Sequence, residues 1–290
     1  GPDPPPFWFW AGPPPPQIIG GVPPTAVILA RGLGTRMRAA STAPVADAEQ
    51  ARVADTGVKA LIPVGRPFLD YVLSALADAG VEEVILVVGP EHDALRDRYE
   101  RDARPSRVRV RFAVQAEPRG TADAVLAAES AVACRPFLVI NSDNYYPVQA
   151  LRLAAALPPP GLVAFDRDAL VREGHIEPAR ALRYALLDVD EQGRLRAIVE
   201  KPSPAEAARF GDRPLVSMTL WAFDHRIFDA CRRVTPSVRG ELELPDAVAL
   251  ALGEGLVFGA VRCALPVLDL SSRADIAPVA ERLRGVEVCL

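Results

Sequence analysis

The chain has 290 residues, half of them hydrophobic, with a formal net charge of -4 and a pI near 5.6. This length is enough for one large α/β domain or two modest ones, each with a full apolar core. The acidic balance argues against a nucleic-acid binder, which would carry a basic excess, and no apolar run approaches the ~20 residues of a membrane span.

The chain begins with a proline-rich stretch. Residues 1–24 include GPDPPPFWFWAGPPPPQ, which has too many prolines and no basic start for a signal peptide. We expect an extended, polyproline-like or disordered arm, or a segment whose FWFW cluster docks on a neighbouring subunit.

Four widely separated cysteines without a CxxC pair indicate neither a disulfide framework nor a zinc site. We therefore expect a cytoplasmic protein.

Short apolar runs between turn signals predict the strands of a sheet. In chain order they are Ala26 to Ala30, Val84 to Val88, Val108 to Val114, Phe137 to Ile140 and Leu162 to Phe165. The stretch RPFLDYVLSALADAG has apolar residues at helical spacing, and Gly80 is its stop. Strands that alternate with helices predict a mainly parallel sheet covered on both faces.

The second half of the chain has a different pattern. YALLDVDEQGRLRAIVE contains two alternating runs hinged at Asp190 to Gly193, which predicts a β-hairpin, and LVSMTLWAFD follows as another strand. We expect these strands to form an antiparallel extension along one side of a pocket. The predicted fold is a Rossmann-like, three-layer α/β domain with a mixed, mainly parallel sheet.

The stretch AVILARGLGTRMR places a glycine-rich turn after the first predicted strand. Ligands of open α/β sheets bind beyond the carboxyl ends of the strands. Gly32 and Gly34 would let backbone N–H groups approach an anion, and Thr35 and Arg36 supply further donors. The turn matches neither GxGxxG nor GxxxxGK[ST]. On its own it is equally well explained by tight packing of a strand against a helix.

Six motifs in this order resemble those of the sugar-1-phosphate nucleotidylyltransferases. They are GLGTRM with the downstream VKALIPVGRPFLDYVL, QAEPRGTADAVL, INSDNYY, VEKPSP, RGELELPDA and LDLSS. RGELELPDA most resembles the glucose-1-phosphate thymidylyltransferases, whereas GLGTRM is nearer to the uridylyltransferase spelling. The resemblance implies a nucleotidylyltransferase domain over residues 25–290.

The implied reaction transfers a nucleoside monophosphate from a nucleoside triphosphate, UTP or dTTP being favoured, to a sugar-1-phosphate. It yields an NDP-sugar and pyrophosphate, and it needs alignment and neutralised charge rather than a covalent nucleophile. Arg36 and Lys59 are the implied catalytic cations on the triphosphate, and Lys201 is the one on the sugar phosphate. Asp143 and Asp269 follow apolar runs, as strand-end carboxylates do, and are the predicted Mg²⁺ ligands. As an alternative, each caps a helix.

The resemblance also implies the residues that contact the substrates. Gln115 and Gly120 match positions that read the pyrimidine edge, where a side-chain amide can donate and accept. Equally, Gln115 is a polar residue at a strand end and Gly120 the start of a helix. The implied nucleotide-binding set is Ala30, Gly32, Gly34, Thr35, Gln115, Gly120 and Asp143, and the sugar-binding set is Glu200, Lys201, Val216 and Ser217.

Several features depart from the family pattern, and three of them concern the substrates. Arg31 stands where the family has glycine or alanine, and it would either add a phosphate or ribose contact or crowd the base. Ala185 takes a position that is often glycine and would narrow the range of sugars. An alanine-rich insert within residues 37–58 is expected to form a loop or short helix over the triphosphate.

Two other functions stay open from the sequence. One is a cytidylyltransferase for an alcohol phosphate such as phosphocholine, against which the motif at Glu200, Lys201 and Pro202 weighs. The other is a catalytically silent sensor of nucleotide sugars. The main interpretation implies NTP and sugar-1-phosphate as partners, a homo-oligomer (dimer or tetramer), and no nucleic-acid or membrane partner.

Overall fold

The structure, a computed structural model, describes residues 25–39 and 48–290, so the predicted proline-rich arm lies outside the described residues. Within them, nine strands form one sheet and two short strands form a separate ribbon. The strands are β1 (Thr25–Leu29), β2 (Glu83–Val88), β3 (Arg109–Val114), β4 (Phe137–Asn141), β5 (Asn144–Tyr145), β6 (Gly161–Asp166), β7 (Ala185–Val189), β8 (Leu195–Val199), β9 (Leu215–Phe223), β10 (Gly259–Cys263) and β11 (Leu268–Asp269).

Helices flank this sheet along the whole described chain. They are α1 (Thr35–Arg38), α2 (Ala48–Thr56), α3 (Phe68–Asp78), α4 (Asp93–Asp97), α5 (Thr121–Ala127), α6 (Glu129–Val132), α7 (Val148–Ala156), α8 (Arg167–Arg172), α9 (Pro178–Ala181), α10 (Pro204–Ala207), α11 (Ile227–Arg233), α12 (Leu244–Gly253) and α13 (Ile276–Leu283). None of the described helices is long and apolar enough to cross a membrane.

The main sheet has the strand order β10, β6, β9, β4, β1, β2, β3, with β7 joined to β9 and β8 joined to β7. The pairs of β1 with β2 and β4, of β2 with β3, and of β6 with β10 are parallel. β9 runs antiparallel to β4, β6 and β7. The predicted mixed sheet with an antiparallel extension is confirmed.

β1 shows why the early strands could be recognised from sequence. All five of its residues are buried, because it lies between β2 and β4 with cores on both faces. Ala26 and Ile28 belong to one core, and Val27 and Leu29 belong to the other. A strand buried on both faces reads as a continuous apolar run. The five predicted runs correspond to β1, β2, β3, β4 and β6, with ends that differ by at most one residue.

The ribbon of β5 and β11 was not predicted. Asp269 pairs with Asn144 and Leu268 with Tyr145 in antiparallel register, and the N–H of Leu270 donates to the carbonyl of Asp143 at 2.8 Å. Strands of two residues leave no periodic pattern, since such pairing depends on tertiary contacts. The ribbon brings the INSDNYY and LDLSS motifs side by side.

Candidate active site

A cleft of about 370 Å³ opens at the carboxyl ends of β1, β3 and β4, the edge at which open α/β sheets bind ligands. It is lined by residues 29–35 after β1, Gln115 after β3, residues 141–143 after β4, and by Lys59 and Gly120. All seven residues of the implied nucleotide-binding set line this cleft, as does Lys59. The predicted site residues that do not line it are Arg36, Glu200, Lys201, Val216, Ser217 and Asp269.

The backbone of the glycine-rich turn lies in close contact with the backbone at Gly57. Gly34 has a φ of +62°, and a Cβ there would overlap the carbonyl of Gly57, so the position requires glycine. The backbone N–H groups from Gly32 to Thr35 have no hydrogen-bond acceptor among the described residues. Such N–H groups at the start of a helix attract anions, and the residues that carry them, Gly32 to Thr35, line the cleft.

Lys59 and Asp143 form an ion pair inside the cleft. The Lys59 Nζ lies 2.6 Å from Asp143 Oδ2, and the two side chains are 16% and 19% exposed. Lys59 begins a single turn of 3₁₀ helix, whereas Asp143 follows the buried strand β4. A cation and a carboxylate from distant parts of the chain therefore meet at one point of the cleft.

Asp269 lies close to this pair through the ribbon, but both oxygens of its carboxylate are engaged. Oδ2 accepts from Arg180 Nη2 at 2.5 Å and from the Tyr184 hydroxyl, and Oδ1 accepts from Ser271 Oγ at 2.6 Å. Burial and then the charge of Asp269 raise the pKa of Tyr184, which keeps it a hydroxyl donor. Arg180 also pairs with Asp275 at 2.6 Å.

The two predicted Mg²⁺ ligands, Asp143 and Asp269, lie in different surroundings. Lys59 contacts Oδ2 of Asp143, whereas Oδ1 accepts from no group among the described residues, so one oxygen of this carboxylate is available to an ion in the cleft. At Asp269, Oδ2 already accepts from Arg180 and Tyr184, so a metal on this oxygen would have to displace one of them. No group of three or more His, Cys, Asp or Glu side chains among the described residues is arranged to hold a metal. Asp269 as a second ligand stays a prediction.

Gln115 and Gly120 are joined by a hydrogen bond at the side of the cleft where α5 begins. Gln115 is 3% exposed, and its Nε2 donates to the Gly120 carbonyl at 3.0 Å and to Asp123 Oδ2 at 2.8 Å. Gly120 has a φ of +125°, and a Cβ there would overlap the backbone of Leu242. The QAEPRGTADAVL and RGELELPDA motifs are therefore packed directly against each other.

The side chain of Arg31, a residue that departs from the family pattern, is held by a hydrogen bond and an ion pair within the protein. Its Nε donates to the Gln115 carbonyl at 3.2 Å, and its guanidinium forms an ion pair with Glu91. A Cβ on Gly89 would overlap the Arg31 guanidinium, so the neighbouring backbone makes room for this side chain. Arg31 thus lines the cleft with its charge already paired.

Arg36 lies on the exposed side of α1 and has no hydrogen-bond or ion-pair partner within residues 25–39 and 48–290. It adjoins the cleft through Thr35, which lines it. The predicted insert contributes α2 (Ala48–Thr56), whereas residues 40–47 lie outside the described part of the chain. The expected contact of Arg36 with a triphosphate stays a prediction.

A second group of charged side chains adjoins the cleft through Glu241, which lines it. Lys201 Nζ lies 3.7 Å from Glu200 Oε1, and Arg239 forms an ion pair with Glu243. Lys201 has a φ of +43°, a strained conformation of the kind that collects at functional sites. Burial and then the charge of Glu243 raise the pKa of Glu200 to about 7.

The two predicted sugar contacts on β9 lie in different surroundings. Val216 is fully buried in the core, and its side chain does not line the cleft. Its contact with a sugar stays a prediction. The hydroxyl of Ser217 accepts from the Thr219 N–H at 3.3 Å. Both residues lie in β9, which pairs with β6 on one side and with β7 on the other. The sequence motif did not reveal this position inside the sheet.

Several residues that interact with the predicted site residues were not singled out from the sequence. They are Asp123, Arg180, Tyr184 and Arg239. Asp123 and Arg239 lie inside motifs that were recognised, so their charge in an otherwise apolar or acidic setting was an available signal. Arg180 and Tyr184 carried none, because their contact with Asp269 joins segments that are distant in sequence.

The raised pKa of Glu200 makes a prediction about stability. The folded chain holds this proton more tightly than the unfolded chain, so the free energy of unfolding falls as pH rises from about 4.5 to about 7. We expect Glu200→Gln to unfold a few degrees above the wild type at about pH 8, with the difference disappearing below about pH 5. Thermal unfolding across this pH range is the measurement. Glu100→Gln, at an exposed position, is the control, and a pH-independent difference for Glu200→Gln would contradict the prediction.

Solved structures with this architecture include UDP-glucose pyrophosphorylase complexed with UDP-glucose. Its TM-score with this chain is 0.69 at 16% identity, covering 92% of this chain and all of that one. At this identity the likeness concerns the fold, and it agrees with the predicted Rossmann-like class.

Relatives in sequence include proteins named as uridylyltransferase and thymidylyltransferase. The UTP-glucose-1-phosphate uridylyltransferase AglF of Haloferax volcanii is 28% identical over 260 residues, covering 89% of this chain and 96% of the relative. A glucose-1-phosphate thymidylyltransferase of Neisseria gonorrhoeae is 28% identical over 235 residues, covering 79% and 71%. The bifunctional protein GlmU of Maricaulis maris is 32% identical over 258 residues, and the chain spans 51% of its length. The sequence model of the Nucleotidyl transferase family matches residues 25–263. The chain therefore belongs to the nucleotidyl transferase family, which confirms the enzyme class that its motifs indicated.

Proposed function

We propose that this chain transfers a nucleoside monophosphate from UTP or dTTP to a sugar-1-phosphate, forming an NDP-sugar and releasing pyrophosphate. The observation that carries the proposal is the cleft in which the glycine-rich turn, Lys59 and Asp143 meet. The named activities of the relatives, uridylyl and thymidylyl transfer to glucose-1-phosphate, support pyrimidine nucleotides and a hexose phosphate.

In the proposed reaction an oxygen of the sugar phosphate attacks the α-phosphorus, and the bond to pyrophosphate breaks. Two anions must approach each other, so fixed donors and cations at the reacting groups provide the main stabilisation. The N–H groups of the turn and Lys59 bind the triphosphate, with Arg36 at the rim. Glu200 accepts from sugar hydroxyls, and Lys201 binds the sugar phosphate.

Asp143 is the residue proposed to hold Mg²⁺, since it lines the cleft and its Oδ1 accepts from no group among the described residues. Mg²⁺ bound there would neutralise phosphate charge. Lys59 is then free to bind phosphate oxygen, because its ammonium is no longer needed by the carboxylate. The homo-oligomer and the cytoplasmic location stay predictions.

A pyrophosphate-release screen tests the function. ATP, GTP, CTP, UTP and dTTP are each combined with a panel of sugar-1-phosphates and with phosphocholine, in the presence of Mg²⁺. Release that requires UTP or dTTP together with a sugar-1-phosphate is the expected result. Release only from CTP with phosphocholine would overturn the proposal. So would nucleotide-sugar binding without release from any pair, which is the behaviour of a silent sensor.

A further inference from the structure

The amide of Gln115 has only one possible orientation. Its Nε2 lies within hydrogen-bond distance of the Gly120 carbonyl and of Asp123 Oδ2. A carbonyl and a carboxylate only accept hydrogen bonds, so the NH₂ end of the amide must face them. Both amide hydrogens are used within the protein. The atom of the Gln115 side chain left for a ligand is Oε1, which is an acceptor.

Asp123 is placed to maintain this orientation. It lies in the first turn of α5 and is 9% exposed, where the positive end of the helix favours a carboxylate. Its second oxygen, Oδ1, accepts from Arg119 Nη2 at 2.6 Å. The Gln115 backbone is fixed as well, since its N–H donates to the Val88 carbonyl at 2.9 Å and its carbonyl accepts from Arg31.

The cleft therefore offers a ligand a defined pair of hydrogen-bonding groups beside α5. Gln115 presents an acceptor, and the Gly120 N–H, which has no acceptor within the described residues, presents a donor. Uracil and thymine carry a hydrogen on ring N3 next to a carbonyl, which complements this pattern. Cytosine has a lone pair on ring N3, and two acceptors that face each other in a closed site leave both unpaired.

We propose that Asp123 is a positioning residue, which fixes the Gln115 amide as an acceptor and thereby selects a base with an imino N–H, uracil or thymine, over cytosine. This inference rests on the proposed function in one respect, that the base of the triphosphate lies against Gln115. In this proposal the amide only accepts from the base, whereas the sequence-based expectation allowed it both to donate and to accept.

The test compares the affinities of the full chain for UTP and CTP by calorimetry. We expect the wild type to prefer UTP by about 10-fold or more. In Asp123→Ala one amide hydrogen of Gln115 becomes free, so the preference falls toward equal affinity. Asp123→Asn keeps an acceptor at the same place and is expected to restore most of the preference. If Asp123→Ala does not fold, Asp123→Leu, which also lacks an acceptor, takes its place.

Two further variants separate the possible failures. Glu117→Gln removes an exposed charge from the same loop without touching Gln115, and the UTP preference should not change. Gln115→Ala should abolish the preference; if it does not, the base lies elsewhere and the inference fails while the transfer activity can stand. An unchanged preference in folded Asp123→Ala, or an equal loss of affinity for both nucleotides, would overturn the role of Asp123. Absence of NTP binding and of pyrophosphate release by the wild type would overturn the proposed function itself.

Discussion

We expect Asp143→Asn to lower turnover by about 100-fold or more, the effect of losing one preorganised charge at a reacting centre. Asparagine keeps the size of the side chain but removes the charge that faces Lys59 and, in the proposed function, Mg²⁺. Because the side chain is only partly buried and lies in a cleft, the fold should be retained. Pyrophosphate release at saturating substrates is the measurement, and the thermal unfolding curve checks the fold.

A matched control for this variant exists on the surface. Asp78 pairs with Arg107 at 2.7 Å, with 45% of its side chain exposed, and it does not line the cleft. Asp78→Asn therefore removes a comparable ion pair and should leave turnover unchanged. Near-normal pyrophosphate release by folded Asp143→Asn would contradict the assignment of Asp143. A parallel loss of Mn²⁺ affinity, measured by electron paramagnetic resonance, would link the loss to the metal.

Asp269→Asn should instead lower the free energy of unfolding, by about 3 kcal/mol, as expected when one partner of a buried ion pair is removed. The Asp269 side chain is 3% exposed and that of Arg180 14% exposed. The substitution leaves Arg180 with Asp275 as its remaining carboxylate partner. It also removes the charge that accepts from the Tyr184 hydroxyl. Denaturant unfolding measures the change.

An exposed pair provides the comparison for Asp269. Asp229 pairs with Arg233 one turn away on α11, with 68% of its side chain exposed. Asp229→Asn should change stability by no more than about 0.5 kcal/mol, as is usual for surface ion pairs. An Asp269→Asn variant of unchanged stability that binds Mn²⁺ less tightly would show that Asp269 serves the metal and not the fold.

The first sheet strands and the cleft were predictable because both depend on local sequence. A strand buried on two faces, such as β1, must be apolar throughout, and the turn that follows it lies at the ligand-binding edge for topological reasons. The residues of the glycine-rich turn follow β1, Gln115 follows β3, and Asp143 lies two residues after the end of β4. Their placement required only the strand ends and the rule for parallel sheets.

The parts that could not be predicted depend on contacts between distant segments. Two partners of Asp269, Arg180 and Tyr184, come from α9 and the residues just after it, and no spacing in the sequence encodes such a meeting. The orientation of the Gln115 amide follows from Asp123 and the Gly120 carbonyl, which only the folded loop brings together. The motif identified Gln115, but it did not reveal which end of the amide faces the ligand.

The ribbon of β5 and β11 has a consequence for how the enzyme is made. The loop that carries Asp143 pairs with residues 268–269, so it has to wait for a partner that the ribosome adds more than a hundred residues later. Contacts of such long range form late, because a long loop must be closed first. A nascent chain released before Asp269 emerges would lack the residues that pair with the Asp143 loop, so this part of the cleft takes its final form only after residues 268–269 have been added.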